Sequence, residues 1–323
     1  MEDFIAIIRL LDATLRLSAP LILCAMAGLI SERAGVIDIG LEGKLLASAF
    51  ASAAVASLTG SPWLGLLTAI GVAMALGALH GFACITHRGE QIISGVAINI
   101  VASGLTVVLG IAIFAEGGQT PILGRTERFG PVDLPLSETL SEVPVLGPIY
   151  AELISGHTVP VYLALLAVPL IWWMLYRTTF GLRLRAVGEM PAAIDSAGVS
   201  VTWLRYRAVI LAGLLCGIAG AYLSTAHGAG FVREMSAGKG FIALAAMIFG
   251  NWRPVPVLLA CLLFGFLEAS AARLQGVDLP LIGPAPVEII LVLPYVVTVI
   301  LLAGFFGKSI PPKALGTPYV KER

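Results

Sequence analysis

The stretch IISGVAINIVASGLTVVLGIAIF, residues 92–114, contains no Asp, Glu, Lys or Arg. A helix needs about 20 mostly apolar residues to cross the ~30 Å hydrocarbon core of a bilayer. Segments 62–85, 158–176 and 208–226 are equally free of charge and read the same way. Segment 45–59 is shorter and rich in Ala and Ser, so it needs part of the preceding loop to cross. Segment 11–30 is apolar apart from Asp12 and Arg16, 255–272 holds one acid, Glu268, and 289–306 is apolar. Residues 240–250 are apolar but only eleven long, which predicts a short or broken helix. The expected fold is all-α and polytopic, one transmembrane domain over 1–323 with eight full transmembrane helices and one short element.

Composition agrees. Of 323 residues, 58% are hydrophobic and 12% charged, against about 25% charged in ordinary globular chains; mean hydropathy is +0.94. So few charges exclude a soluble multidomain chain and a disordered one. Basic and acidic residues number 20 each, so no net charge draws nucleic-acid phosphates. Cys24, Cys84, Cys216 and Cys261 lie in separate apolar stretches without CxxC spacing and read as small core residues. The start, Met1-Glu2-Asp3-Phe4, lacks the basic residues of a cleavable signal, so the first span is expected to remain.

Orientation follows from Lys and Arg, which are retained on the cytoplasmic side. The loop 177–207, the tail 307–323, Arg33, Lys44, Arg88 and Arg253 together hold thirteen of the 20 basic residues. The loop 115–157 instead carries Glu116, Glu127, Asp133, Glu138, Glu142 and Glu152 against Arg125 and Arg128, so it is expected outside. The N-terminus is then outside and the C-terminus cytoplasmic. Parity requires the 240–250 element to supply a crossing. A broken crossing is tolerated only where protein or a water-filled path surrounds it. The patterns Gly77-x-x-x-Gly81 and Gly213-x-x-x-Gly217 predict close helix approach.

Several chemistries are missing. His80, His87, His157 and His227 form no metal-ligand spacing. Gly307-Lys308-Ser309 lacks the first glycine of a phosphate loop, because Leu302 stands there. No Gly-x-Ser-x-Gly elbow occurs, and no filter-like loop or charge-studded sensor helix of an ion pore. No catalytic or metal-binding residue is expected, and no cofactor on this chain; any ATP must be used by a partner.

Polar residues among the spans are candidates for a translocation path. SERAGVIDIGLEG, residues 31–43, holds Glu32, Asp38 and Glu42. A charge inside a bilayer costs at least ~2.5 kcal/mol and marks function by default; a cytoplasmic turn is the other reading, and hydropathy leaves both open. Ser94, Asn99 and Ser103 are spaced to share one broad helix face. An amide both donates and accepts, which suits a neutral hydroxylated solute, although helix packing uses Asn in the same way. The path candidates are Asp38, Glu42, Ser94, Asn99 and Ser103. Glu268 is expected at a rim.

The loop 177–207 carries the other candidate site. Pro191 suits a first helical turn and Gly198 a C-cap, so 191–197 predicts a two-turn helix with Glu189 close to its N-terminus. Such a stiff helix is either a lever that docks on a partner or an amphipathic connector.

The string FGLRLRAVGEMPAAIDSAGV, residues 180–199, resembles the cytoplasmic coupling segment of permeases in the branched-chain amino acid, ribose and nucleoside class of ABC importers. Gly181, Arg185, Ala186, Gly188, Glu189, Pro191, Ala193, Ala197 and Gly198 match that pattern, and Ala192 stands at a variable position. Met190 and Ile194 depart from it, where Asn and Ala are usual. The resemblance implies that this segment, Ala192 and Asp195 included, fits a cleft on an ATPase subunit. SERAGVIDIGLEG and GFIALAAMIFGNWRP, residues 240–254, resemble the nucleoside and simple-sugar branch, with Asp38 standing near a usual Asn. The partners it implies are a second permease, identical or homologous, ABC ATPase subunits that bind the ATP, and an extracytoplasmic solute-binding protein. The cargo would be a small neutral solute, a nucleoside or simple sugar, carried across a bacterial inner membrane. An ion-coupled secondary transporter or channel working without an ATPase is the alternative.

Overall fold

The computed structural model describes residues 2–135, 146–274 and 309–321, together with 278–279, 283–284, 292 and 296. The expected span at 289–306 otherwise lies outside the described residues. The helices are α1 (Glu2–Arg33), α2 (Leu41–Thr59), α3 (Pro62–Gly81), α4 (Gln91–Phe114), α5 (Val159–Arg177), α6 (Thr179–Glu189), α7 (Pro191–Ser196), α8 (Val201–Tyr222), α9 (Lys239–Phe249) and α10 (Pro254–Leu274). Single π-turns extend α3 through Phe82–Thr86 and α8 through Leu223–His227. Short helical turns occupy Arg125–Glu127, Leu146–Pro148 and Ile149–Ile154, and Asp278–Leu279 pairs antiparallel with Gly283–Pro284.

Seven described helices are long and apolar enough to cross a membrane, and α9 is the shorter apolar element. The chain is a multi-pass helical membrane protein. Some features differ from expectation: the first helix extends from Glu2 to Arg33 rather than 11–30. The second span begins at Leu41 rather than 45, and α6 was not foreseen.

The core is built round α1 and α8. From Ala19 to Ile30 the side chains of α1 are buried. By contrast α4 buries one stripe, Gln91, Gly95, Ile98, Ala102, Thr106 and Gly110, and leaves its other faces open. Helices α3 and α8 meet at the glycines of the two small-residue patterns. A Cβ at Gly213 would lie 2.6 Å from the Ala73 carbonyl oxygen, and one at Gly217 2.4 Å from Ile70 Cα. Backbones this close leave no room for a side chain.

Pro20 removes one hydrogen bond from α1 because it has no N–H to donate to the Arg16 carbonyl. The Tyr222 hydroxyl donates to that carbonyl instead, at 2.7 Å. Such a repair by a neighbouring helix lets proline stand in a buried span.

The return from α8 is discontinuous. Residues 228–238 run as turns and irregular backbone before α9 begins. Part of the 115–157 loop packs against this run. Thr120 and Leu123 donate backbone N–H groups to the Phe231 and Ala229 carbonyls, and Thr120 Oγ1 accepts from Phe231 N at 2.9 Å. Leu123 and Phe129 are consequently buried, so this part of the loop belongs to the core.

Candidate translocation and coupling site

Residues 34–40 link α1 to α2 as a buried, non-helical stretch. Buried backbone polar groups need partners, and neighbouring side chains supply them. Ile37 N donates to Gln91 Oε1 at 2.7 Å. His80 Nε2 donates to the Ile37 carbonyl at 2.9 Å, and its Nδ1 accepts from the Ser94 hydroxyl at 3.0 Å. Asn99 uses both ends of its amide: Nδ2 donates to Ile39 O at 3.1 Å and Oδ1 accepts from Gly43 N at 2.7 Å. Asp38 and Lys44 form an ion pair at 2.5 Å, both fully buried.

Glu42 closes the other side of this constellation. Its carboxylate accepts from Gly238 N at 2.9 Å and Gly240 N at 2.6 Å, and so caps α9. A carboxylate is stabilised at a helix N-terminus by free N–H groups and the helix dipole. Gly240 is required by the approach, since a Cβ there would lie 2.6 Å from Glu42 Cα. The eleven residues of α9 rise about 16 Å, roughly half of a ~30 Å core. Beside the cap, Lys239 Nζ pairs with Glu268 Oε1 at 2.7 Å.

Ser103, midway along α4, donates to Glu234 in the discontinuous run. Arg233 and Glu234 are exposed on the isolated chain. Glu234 and Ala237 adopt left-handed backbone, φ 56° and 47°, a strained conformation that clusters at functional sites.

The arginine-rich end holds the second constellation. Thr178 caps α6 by accepting from Gly181 N at 3.1 Å. Gly181 sits where a Cβ would lie 2.0 Å from Met174 O, and Gly188 where one would lie 2.2 Å from Arg33 O. The segment is thereby pressed on the ends of α5 and α1. The described tail, 309–321, packs against the same end. Ala314 N donates to Gly188 O at 2.8 Å, Tyr319 and Lys321 reach Asp195, and buried Arg205 bridges Ala34 O and Thr317 O. After the break at Met190, α7 runs Pro191–Ser196, with Ala197 as its C-cap and Gly198 at φ 79°. Ala192, Ala193, Ser196 and Ala197 are exposed, as are Glu189 and Met190. The result is a short helix with a face of small residues, held from behind.

A family model described as the permease component of the branched-chain amino acid transport system matches residues 10–302. The chain belongs to this family. It is 38% identical over 329 aligned residues to the guanosine ABC transporter permease protein NupQ of Bacillus subtilis, covering 99% of each chain. It is 39% identical to the nucleoside ABC transporter permease protein NupC of Lactococcus lactis, over 95% of each. The putative glucose ABC transporter permease protein TsgC13 of Haloferax volcanii is 40% identical over 86% of this chain and 81% of its own. Bacillus subtilis also has the guanosine ABC transporter permease protein NupP, 27% identical over 86% of this chain and 76% of its own. The relatives are transport subunits, not enzymes.

In this permease Asp38, Ser94 and Asn99 belong to the network about the 34–40 link, whereas Glu42 holds Gly238 and Gly240 and Ser103 faces Glu234. Ser94, Asn99 and Ser103 are each half-buried, at the border of the packed stripe of α4. Glu268, expected at a rim, is brought to Lys239. The sequence reading missed Arg233 and Glu234. Their signal was two adjacent charges five and four residues ahead of Gly238, the N-cap of the short helix.

Proposed function

We propose that this permease is one of two permease subunits in an ATP-driven importer for nucleosides or simple sugars in the bacterial cytoplasmic membrane. The arginine-rich end is cytoplasmic. ATPase subunits bind ATP and dock on Glu189, Pro191, Ala192, Ala193, Asp195, Ala197 and Gly198, while Gly181, Arg185 and Gly188 seat the segment on the spans behind it. A solute-binding protein delivers cargo to the opposite face. The second permease is a homologue, a reading supported by the two guanosine permease proteins of one Bacillus subtilis strain.

The observation that carries this reading is α7, an exposed two-turn helix whose small side chains suit a cleft. Its backing connects directly to the spans, through Gly188 on the end of α1 and Gly181 on the end of α5. ATP-driven closure of the ATPases therefore moves α1, whose Arg33 donates to Trp252 O at 2.9 and 2.7 Å and so grips the corner between α9 and α10. Glu42 links α9 back to α2. Two access states differ in these contacts, and the nucleotide selects between them. Ser103, Glu234 and Arg233 then line the solute's route beside Asn99. A charged pair at mid-depth is too costly to face lipid, and hydroxyl, carboxylate and guanidinium groups match a solute rich in hydroxyls.

Replacing Pro191 with Gly, or Glu189 with Ala, in the assembled complex tests the coupling. Basal ATP hydrolysis should persist, while its stimulation by solute-loaded binding protein and the uptake itself should fall at least about tenfold. Unchanged uptake and stimulation in both variants would remove α7 from this role.

A further inference from the structure

A cavity of about 500 Å³ lies between the ends of α5 and α10, beside α6. Its walls bring Arg33, Arg185 and Arg253 together with Trp172, Tyr176 and Val255. The guanidinium of Arg33 is engaged with the Trp252 carbonyl. That of Arg185 lies over the Tyr176 ring, 4.8 Å from its centre, and its Nε is buried without a hydrogen-bond partner. Arg253 is exposed. Among the described residues no carboxylate lies within ion-pair distance of any of the three. Three cations round one open cavity repel each other and leave donors unmet. The complementary occupant is an anion with several oxygens, the geometry a guanidinium fork matches best.

Position identifies which anion. Trp172 and Tyr176 stand in the last turns of α5, and Arg253 directly precedes α10. The cavity is thus level with the ends of two spans, the zone where Trp and Tyr meet lipid headgroups. Beside it the surface is apolar and open: Trp173, Val255 and Leu259 are 57%, 52% and 62% exposed. Soluble phosphate would use the arginines alone. A phosphodiester carrying acyl chains uses both surfaces, and basic pockets between membrane helices suit such headgroups. We propose that this cavity binds the headgroup phosphate of an anionic phospholipid, with its chains along Val255 and Leu259. Because Arg185 belongs to α6, the lipid also braces the coupling segment against α5 and α10.

Native mass spectrometry of the complex purified through this chain tests the site. The complex is stripped of lipid and titrated with phosphatidylglycerol, phosphatidylcholine or inorganic phosphate. One phosphatidylglycerol should be retained per copy of the chain, with phosphatidylcholine retained about tenfold less. Arg253→Ala should lower phosphatidylglycerol retention about tenfold. Arg253→Lys should restore part of it, and Arg273→Ala, at the other end of α10, should change nothing. Equal retention of the two lipids, or of phosphatidylglycerol by wild type and Arg253→Ala, would overturn the proposal. Displacement of the lipid by inorganic phosphate would assign a free-anion site and also overturn it. So would loss of other subunits from the Arg253→Ala complex at an unchanged lipid count, which would make the arginines a subunit contact.

Discussion

Asp38 and Lys44 are both fully buried and 2.5 Å apart, and Asp38 Oδ1 has no hydrogen-bond partner. Removing one member of such a pair strands the other, at a cost of about 3–5 kcal/mol. Lys44→Met is therefore expected to lower the thermal unfolding temperature of the purified complex sharply. Adding Asp38→Asn to it should recover most of that loss, because no charge is then left buried. A double variant as unstable as Lys44→Met would show that the pair does more than satisfy its own charges. This chemistry was only half legible beforehand. The two acids Asp38 and Glu42 stood out as charges between apolar spans. Their partners could not be read, because Lys44 looked like a flanking cytoplasmic lysine and the N–H groups of Gly238 and Gly240 carry no sequence signal.

At the scale of elements, the spans were legible because a run without charges leaves a helix in lipid as the stable solution. Boundaries were harder wherever a polar residue has a distant partner. The start of α2 looked like loop because Glu42 and Lys44 lie in its first turn, yet each is held from outside the helix. Helix α6 was unforeseen for a related reason. Gly188 reads as the end of a segment, but it and Gly181 stand where the backbones of α1 and α5 leave no space for a side chain. The glycines of α3 and α8 were read correctly as packing sites. Gly217→Val is accordingly expected to force these helices apart and to destabilise the complex by about 1–3 kcal/mol, the usual cost of overpacking. Thermal unfolding of the variant in detergent checks this, and unchanged stability would mean the two helices separate freely.

For the whole molecule, contacts join the two constellations. The segment proposed to couple rests on α1, Arg33 at the end of α1 holds the corner after α9, and Glu42 holds the start of α9. The short helix expected from the apolar run at 240–250 is there, and the run before it brings Glu234 to Ser103. Nucleotide chemistry on partner subunits drives this chain. Uptake of guanosine and of glucose into proteoliposomes measures it directly. Vesicles holding the chain with its second permease, ATPases and binding protein should take up one of the two solutes only when ATP is present on the ATPase side. Vesicles holding this chain alone should take up neither under a proton or sodium gradient. Gradient-driven uptake by the chain alone, without ATP, would contradict the account.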